Sequence, residues 1–185
     1  MNDLIHINYI LQKMKTVFHE PIELHSGNYS KVKYEIDRLT DEHLIYLAKR
    51  IPKPDVDRIV SVGGGMRFAK IISQVYDIPI SLKENFSKIE LGLDKILIVD
   101  DVMTTGESIN SLFNDLWHID YEVEGTVCAL VIVKRGDVKL PFPLFSFFQV
   151  PSDYCNAKKI NTVKSKKGDL YIIGKFPKWN SRRNK

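Results

Sequence analysis

Lys95-Ile96-Leu97-Ile98-Val99-Asp100-Asp101-Val102-Met103-Thr104-Thr105-Gly106-Glu107-Ser108 decides how this chain is built. The four consecutive apolar residues Ile96 to Val99 read as a short strand buried on both faces, as in a parallel sheet. Two carboxylates stand where that strand is expected to end. A Thr-Thr-Gly-Glu-Ser turn follows, then Ile109, Leu112, Phe113, Leu116 and Trp117 at helical spacing. A strand, an acidic pair and a glycine- and hydroxyl-rich turn opening a helix present a phosphate site at the carboxyl edge of an α/β sheet.

The pattern extends upstream and downstream. Arg58-Ile59-Val60-Ser61-Val62 predicts a strand, Gly63-Gly64-Gly65 a turn, and residues 66–76 a helix burying Ile71, Ile72 and Val75. Ile78-Pro79-Ile80-Ser81-Leu82 predicts a strand near an edge, because proline cannot donate to a ladder. Residues 83–94 are polar and aperiodic and read as a loop. Val123 to Val133 predicts a long strand, ended by Lys134-Arg135-Gly136-Asp137. Right-handed crossovers would gather these strands into a mostly parallel sheet with helices on both faces.

Towards the N-terminus, Leu4, Ile7, Leu11, Met14 and Phe18 predict one helix over 2–19, capped by Asn2 or Asp3 and ended by Pro21. Residues 22–24 and 32–37 read as short strands flanking a polar turn. Thr40 is expected to cap a helix burying Leu44, Leu47, Ala48 and Ile51, stopped by Pro52-Lys53-Pro54. Residues 141–148 read as an aromatic strand returning over the core, and 170–173 as another short strand. No repeat and no linker is visible, so 1–185 reads as a single domain.

The 185 residues are 44% hydrophobic and 27% charged, enough for one soluble α/β domain with a full core. A net charge of +4 suits a polyanionic small substrate and calls for no nucleic acid. Cys128 and Cys155 have no metal or redox spacing, and Cys128, in an apolar run, reads as a buried thiol in a reducing compartment. No apolar run approaches membrane length. Met1-Asn2-Asp3-Leu4 brings neither a basic n-region nor a long apolar h-region, so secretion is not expected. A cytoplasmic protein with no membrane partner is expected, and the Asn28-Tyr29-Ser30 and Asn85-Phe86-Ser87 sequons read as coincidences of composition.

Adjacent carboxylates at a strand end suit the cis-hydroxyls of a ribose and suit Mg²⁺, which takes oxygen ligands. Thr104, Thr105, Gly106, Glu107 and Ser108 offer hydroxyls and backbone N–H groups to a phosphate monoester at a helix N-terminus. A plain βα turn would explain Thr-Gly-x-Ser alone. The buried strand and the Asp-Asp pair argue for the site.

From Ile98 to Ser108 the sequence resembles, without interruption, the phosphoribosyl pyrophosphate signature of type I phosphoribosyltransferases. The resemblance implies that fold, with a small hood built from N-terminal segments, residues 1–40 supplying a helix and part of the hood. It implies that Asp100 and Asp101 contact ribose and Mg²⁺, that Thr104–Ser108 wrap the 5′-phosphate, and that Gly63, Gly64 and Gly65 form the pyrophosphate loop. Arg67 could add a cation there, with a solvated surface arginine as the alternative. Glu23–Ser30 with Tyr34–Asp37, Leu82-Lys83-Glu84, Lys134-Arg135-Gly136 and Pro143–Phe148 are similar to segments of the orotate phosphoribosyltransferases. That branch implies Lys83, Lys88 and Asp101 as catalytic residues, Lys83 also on the phosphoribosyl side, His25 and Arg135 at the base, and a homodimer. His25 stands where that branch carries lysine, Leu82 replaces an arginine, the loop from 83 is short, and a Lys-x-His-Gly pattern is absent. The function implied is transfer of ribose 5-phosphate from phosphoribosyl pyrophosphate to a nucleobase, orotate first. A purine or other base, or a ligand-binding regulator with little turnover, stands as the alternative. His25 could equally be a hydrogen-bonded loop histidine.

Overall fold

The computed structural model describes residues 3–82, 95–117, 127–152 and 154–155. The expected loop at 83–94, with Lys83 and Lys88, and the strand at 170–173 lie outside them. Helix α1 (Asp3–Met14) leads into strand β1 (Lys15–Glu23), followed by β2 (Tyr29–Tyr34), α2 (Asp41–Ala48), β3 (Arg58–Ser61) and α3 (Met66–Tyr76). Then come β4 (Ile96–Met103), α4 (Glu107–Trp117), β5 (Val127–Arg135), β6 (Leu144–Val150) and the two-residue β7 (Tyr154–Cys155). Among the described residues no helix is long and apolar enough to cross a membrane.

The central sheet has the order β3-β4-β5-β6, all parallel. Alternation along its strands explains the burial of both faces. Leu97 and Val99 of β4 and Cys128, Leu130 and Ile132 of β5 pack with α1, α2 and α3. Ile96 and Ile98, with Val127, Ala129 and Val131, pack with Ile109, Leu112, Phe113 and Leu116 of α4. Ile96, Leu97, Ile98 and Val99 are wholly buried. At about 1.5–3 kcal/mol each, these four contribute roughly 6–12 kcal/mol, enough for the strand to carry a buried carboxylate next in line. Burial pushes the Cys128 thiol up to about 12, which makes it an inert core residue.

Three expectations are corrected. The predicted helix over 2–19 ends at Met14, because Lys15 and the β-branched Thr16 and Val17 pair with Tyr34, Lys33 and Val32 of β2 instead. Pro21 falls in the irregularity of that pairing between Val17 and Ile22, on an edge strand, where a missing N–H is tolerated. The predicted strand at 78–82 is reduced to one parallel bridge, Ile59 to Ile80, held by Ile59 N–H to Pro79 O and Ser81 N–H to Ile59 O. Strand β4 does not stop at Val99 but runs through both aspartates to Met103.

The hood is the antiparallel sheet β1-β2-β7. Its third strand returns from beyond β6 and pairs Cys155 with Tyr29 and Tyr154 with Ser30. Residues 136–143 cross from β5 to β6 without a helix, burying Phe142 against Phe113 of α4.

The α2–α3 contact is fastened by the Tyr76 hydroxyl, which donates to the carbonyls of Ala48, at 2.8 Å, and Ile51 just past the α2 C-terminus. Burial raises the phenol above its usual range, so it stays protonated and donating. Tyr76→Phe is expected to cost about 1–2 kcal/mol. A shift of the urea midpoint with unchanged slope reads that loss, and an unmoved midpoint refutes it.

Candidate functional site

The chain leaves β3 through α3, reaches Ile80 on the outer side of β3, and returns to β4 on the inner side. Consecutive helices α3 and α4 therefore lie on opposite faces of the sheet. Such a reversal opens a crevice beyond the carboxyl ends of the two strands, and ligands bind there in open α/β sheets. Gly63–Gly65 follow β3 at that point, and Asp100 and Asp101 face them from β4.

The fit between the two is close. A Cβ on Gly64 would overlap the Asp101 carboxylate, one on Gly63 would stand 2.9 Å from Asp100 Oδ1, and one on Gly65 would overlap Val99 O. Gly65 is required by the backbone of Val99 and Asp100 and Gly63 by its φ of 51°, while a side chain at Gly64 would displace the Asp101 carboxylate. Gly65 N–H donates to Val62 O at 2.9 Å and is buried, so the turn faces solvent with Gly63 and Gly64.

Asp100 is 7% exposed and Asp101 about half-buried. Asp100 Oδ1 accepts the Asp101 N–H at 2.8 Å, and Asp101 Oδ1 accepts the Val102 N–H at 2.8 Å. Burial first, then the charge of Asp101, pushes Asp100 up to about 8. A carboxyl held so far from its ordinary range marks a place where added positive charge would be welcome.

A cavity of about 600 Å³ is lined by Gly63, Gly64, Asp100, Asp101, Thr104, Thr105, Glu107 and Ser108, with Ser111, Val102 and the hood residues His25 and Ser26. Gly106 sits beneath it at φ 77°, against Val138 and Leu140, and turns the chain into α4. Asn110 N–H donates to Gly106 O at 2.9 Å.

A second cavity of about 300 Å³ shares His25, Ser26, Gly64, Asp101, Val102 and Thr104 with the first. Its remaining wall is Leu24, Ile36 and the hood side chains Lys33, Tyr34, Glu35 and Asp37, with Arg135 from β5. The turn closed by Leu24 and Asn28 carries the exposed His25 over both cavities. Glu35 lies below the usual carboxylate range, chiefly through the hydrogen bond from Lys33 and against the opposing effect of burial.

Sequence reasoning gives Lys33, Ser26 and Ser111 no role, although alternation along 30–35 puts Lys33 and Glu35 on one side of the strand. Arg67 is turned from the glycine turn to Asp41 Oδ1, at 2.6 Å and 3.1 Å, and to Leu39 O at 2.8 Å. It ties α3 to the start of α2.

No protein-family model matches the sequence, and no curated protein matches it by sequence. Solved structures do match in fold. Orotate phosphoribosyltransferase from Aeropyrum pernix superposes with a TM-score of 0.58 at 23% identity, over 76% of this chain and 92% of that one. The Mycobacterium tuberculosis H37Rv orotate phosphoribosyltransferase in complex with Fe(III) dicitrate gives 0.55 at 16% identity, over 76% and 94%. The Francisella tularensis enzyme gives 0.51 at 21%, over 76% and 82%. The chain has the fold of the type I phosphoribosyltransferases.

Proposed function

We propose that this chain is a phosphoribosyltransferase that moves ribose 5-phosphate from phosphoribosyl pyrophosphate to a ring nitrogen of orotate and releases pyrophosphate. The observation that carries the reading is the meeting of Gly63–Gly64, Asp100–Asp101 and Thr104, Thr105, Glu107 and Ser108 around one cavity that shares a wall with a smaller one under the hood.

The larger cavity takes the phosphoribosyl group. The start of α4, with Thr104, Thr105 and Ser108, receives the 5′-phosphate, and the amides of Gly63 and Gly64 receive the diphosphate. Asp100 and Asp101 accept hydrogen bonds from the ribose hydroxyls. Among the described residues no three His, Cys, Asp or Glu side chains converge as a metal cage. Two carboxylates with the remaining ligands supplied by substrate oxygens is the manner in which Mg²⁺ is held, and the donor set here fits it. Asp100 and Asp101 would hold Mg²⁺, which would supply positive charge against the diphosphate.

As the C1–oxygen bond to pyrophosphate lengthens, charge grows on the leaving group and the ribose becomes oxocarbenium-like. The glycine amides favour the first change and the carboxylate of Asp101 the second. Lys83 and Lys88 are assigned as the further cations at the diphosphate. The smaller cavity takes the base, with His25 and Arg135 on its walls, and the enzyme acts as a homodimer.

The test is pyrophosphate release from phosphoribosyl pyrophosphate with Mg²⁺ and a panel of bases. Release with orotate is expected. Release with purines alone replaces the acceptor, binding without release for every base makes the protein a ligand sensor, and failure to bind phosphoribosyl pyrophosphate overturns the site.

A further inference from the structure

We propose that His43 is a proton-sensitive latch: its neutral ring caps helix α2, and protonation of that ring releases the cap and loosens residues 36–41, part of which walls the smaller cavity. The device does not depend on what the cavity binds.

Thr40 stands at the N-cap of α2 and His43 at its third helical position, in the arrangement of a capping box. Thr40 N–H donates to His43 Nδ1 at 3.1 Å, and the Thr40 hydroxyl oxygen lies 2.9 Å from the same nitrogen. A backbone N–H can only donate, so Nδ1 must offer a lone pair, and the ring is neutral with its proton on Nε2. Glutamate or glutamine usually fills this place, and either remains an acceptor around neutral pH. Histidine does not. A proton on Nδ1 would set two N–H groups against each other and remove the cap.

The ring sits among groups that mostly oppose that proton. A helix N-terminus disfavours positive charge. From α1, the His6 and Tyr9 rings lie 6.3 Å and 5.9 Å from His43 between centroids, and the Lys13 ammonium lies 5.4 Å from the Tyr9 ring. On the α2 side, Tyr46 meets His6 edge-on at 4.2 Å and carries Arg50 at 4.6 Å. Asp41 and Glu42 precede His43 in the first turn. Burial first, then His6 and Lys13, hold His43 below its ordinary value of 6.5, with Glu42 opposing. As pH falls, the unfolded chain takes up this proton before the folded one. The cap therefore contributes fully above about pH 6.5 and is lost as pH drops through the lower folded value.

The cap reaches the cavity through the chain that precedes it. Leu44 N–H donates to Thr40 O at 3.3 Å, the first bond of α2. Asp41 holds Arg67 at 2.6 Å, and Arg67 donates to Leu39 O at 2.8 Å. Leu39 N–H donates to Ile36 O at 2.9 Å, and Ile36 and Asp37 line the smaller cavity. Undoing the turn at Thr40 slackens the Asp41–Arg67 clasp and, with it, that wall.

NMR of the ¹⁵N-labelled protein from about pH 7.5 down to about pH 5 tests the latch. The His43 ring should titrate below 6.5, and the Thr40 amide shift should follow the same midpoint. His43→Gln keeps an acceptor that does not titrate and serves as the reference. Exchange of the Leu44 and Leu39 amides, compared at equal pH, should match in the two proteins at the upper end. At the lower end it should run on the order of tenfold faster in the wild type. A His43 midpoint at or above 6.5, a Thr40 amide that ignores it, or an acid loss of protection that His43→Gln shares overturns the latch. Leu44 responding without Leu39 overturns its reach to the cavity wall.

Discussion

Asp100→Asn should melt higher than the wild type at pH 8 and yet be at least about a hundredfold slower in phosphoribosyl transfer. The two effects have one cause. Asp100 is nearly sealed from water beside a second carboxylate, and burial above all lifts it from an ordinary value near 3.8 to about 8. The unfolded chain ionises this group near pH 4, whereas the folded chain keeps its proton to much higher pH. Between those values the folded state binds more protons, so stability is full below pH 4 and falls as pH rises to about 8. Asparagine carries no charge and can still accept the Asp101 N–H through its side-chain oxygen. The gain should amount to several kcal/mol at pH 8, at least about 5–10 °C in melting temperature, and should vanish toward pH 4. The wild type should recover the difference when Mg²⁺ and phosphoribosyl pyrophosphate are added, and the variant should not. A variant that melts lower than the wild type at pH 8 would refute the account, as would one that retains transfer.

The same aspartates show what a sequence can and cannot disclose. The buried run Ile96–Val99 is legible because a short, partly β-branched apolar run followed by an acidic pair and a glycine turn suits a strand covered on both faces better than a helix. The turn into α4 is legible because Gly106 and its hydroxyl neighbours have few other uses. The convergence of Asp100 and Asp101 on one cavity is less so, since neighbours on a regular strand point apart; the glycine turn, having no side chains, leaves room for both carboxylates. Phe18 continues the spacing of Met14, so a helix over 2–19 is the natural reading of a local pattern. The pairing of β1 with β2 overrides it, through contacts between residues far apart in sequence. Strand β7 has two residues and owes its existence to Tyr29 and Ser30, so no periodicity could announce it. Arg67 and Arg135 are equally visible as cations, and only their partners reveal that one joins α3 to α2 while the other joins the core to the hood.

Arg135→Ala should loosen the hood before it loosens the sheet. Arg135 stands at the last position of β5, paired with Val150 of β6 in the core, and its side chain crosses to Ser30 and Val32 of β2. It lies among the largest fully buried side chains of the molecule, between the rings of Tyr34 on β2 and Tyr154 on β7. Truncation removes the donor to two hood acceptors and empties a volume that a three-stranded hood of small span cannot easily refill. Each lost bond to a buried acceptor costs about 1–3 kcal/mol and the cavity adds to it, so a loss of about 3–5 kcal/mol is expected. Because the central sheet keeps both of its helical layers, most of that loss should fall on the hood. Native-state hydrogen exchange would then show amides of β1 and β2 losing protection about a hundredfold or more, while protection of the central sheet, read at the amides of Leu97 and Leu130, changes by less than the hood does. Both cavities share the hood residues His25 and Ser26, so base binding should weaken along with hood protection. Hood amides that keep their wild-type protection in Arg135→Ala would show that the hood is held by other contacts, and that Arg135 serves the cavity wall alone.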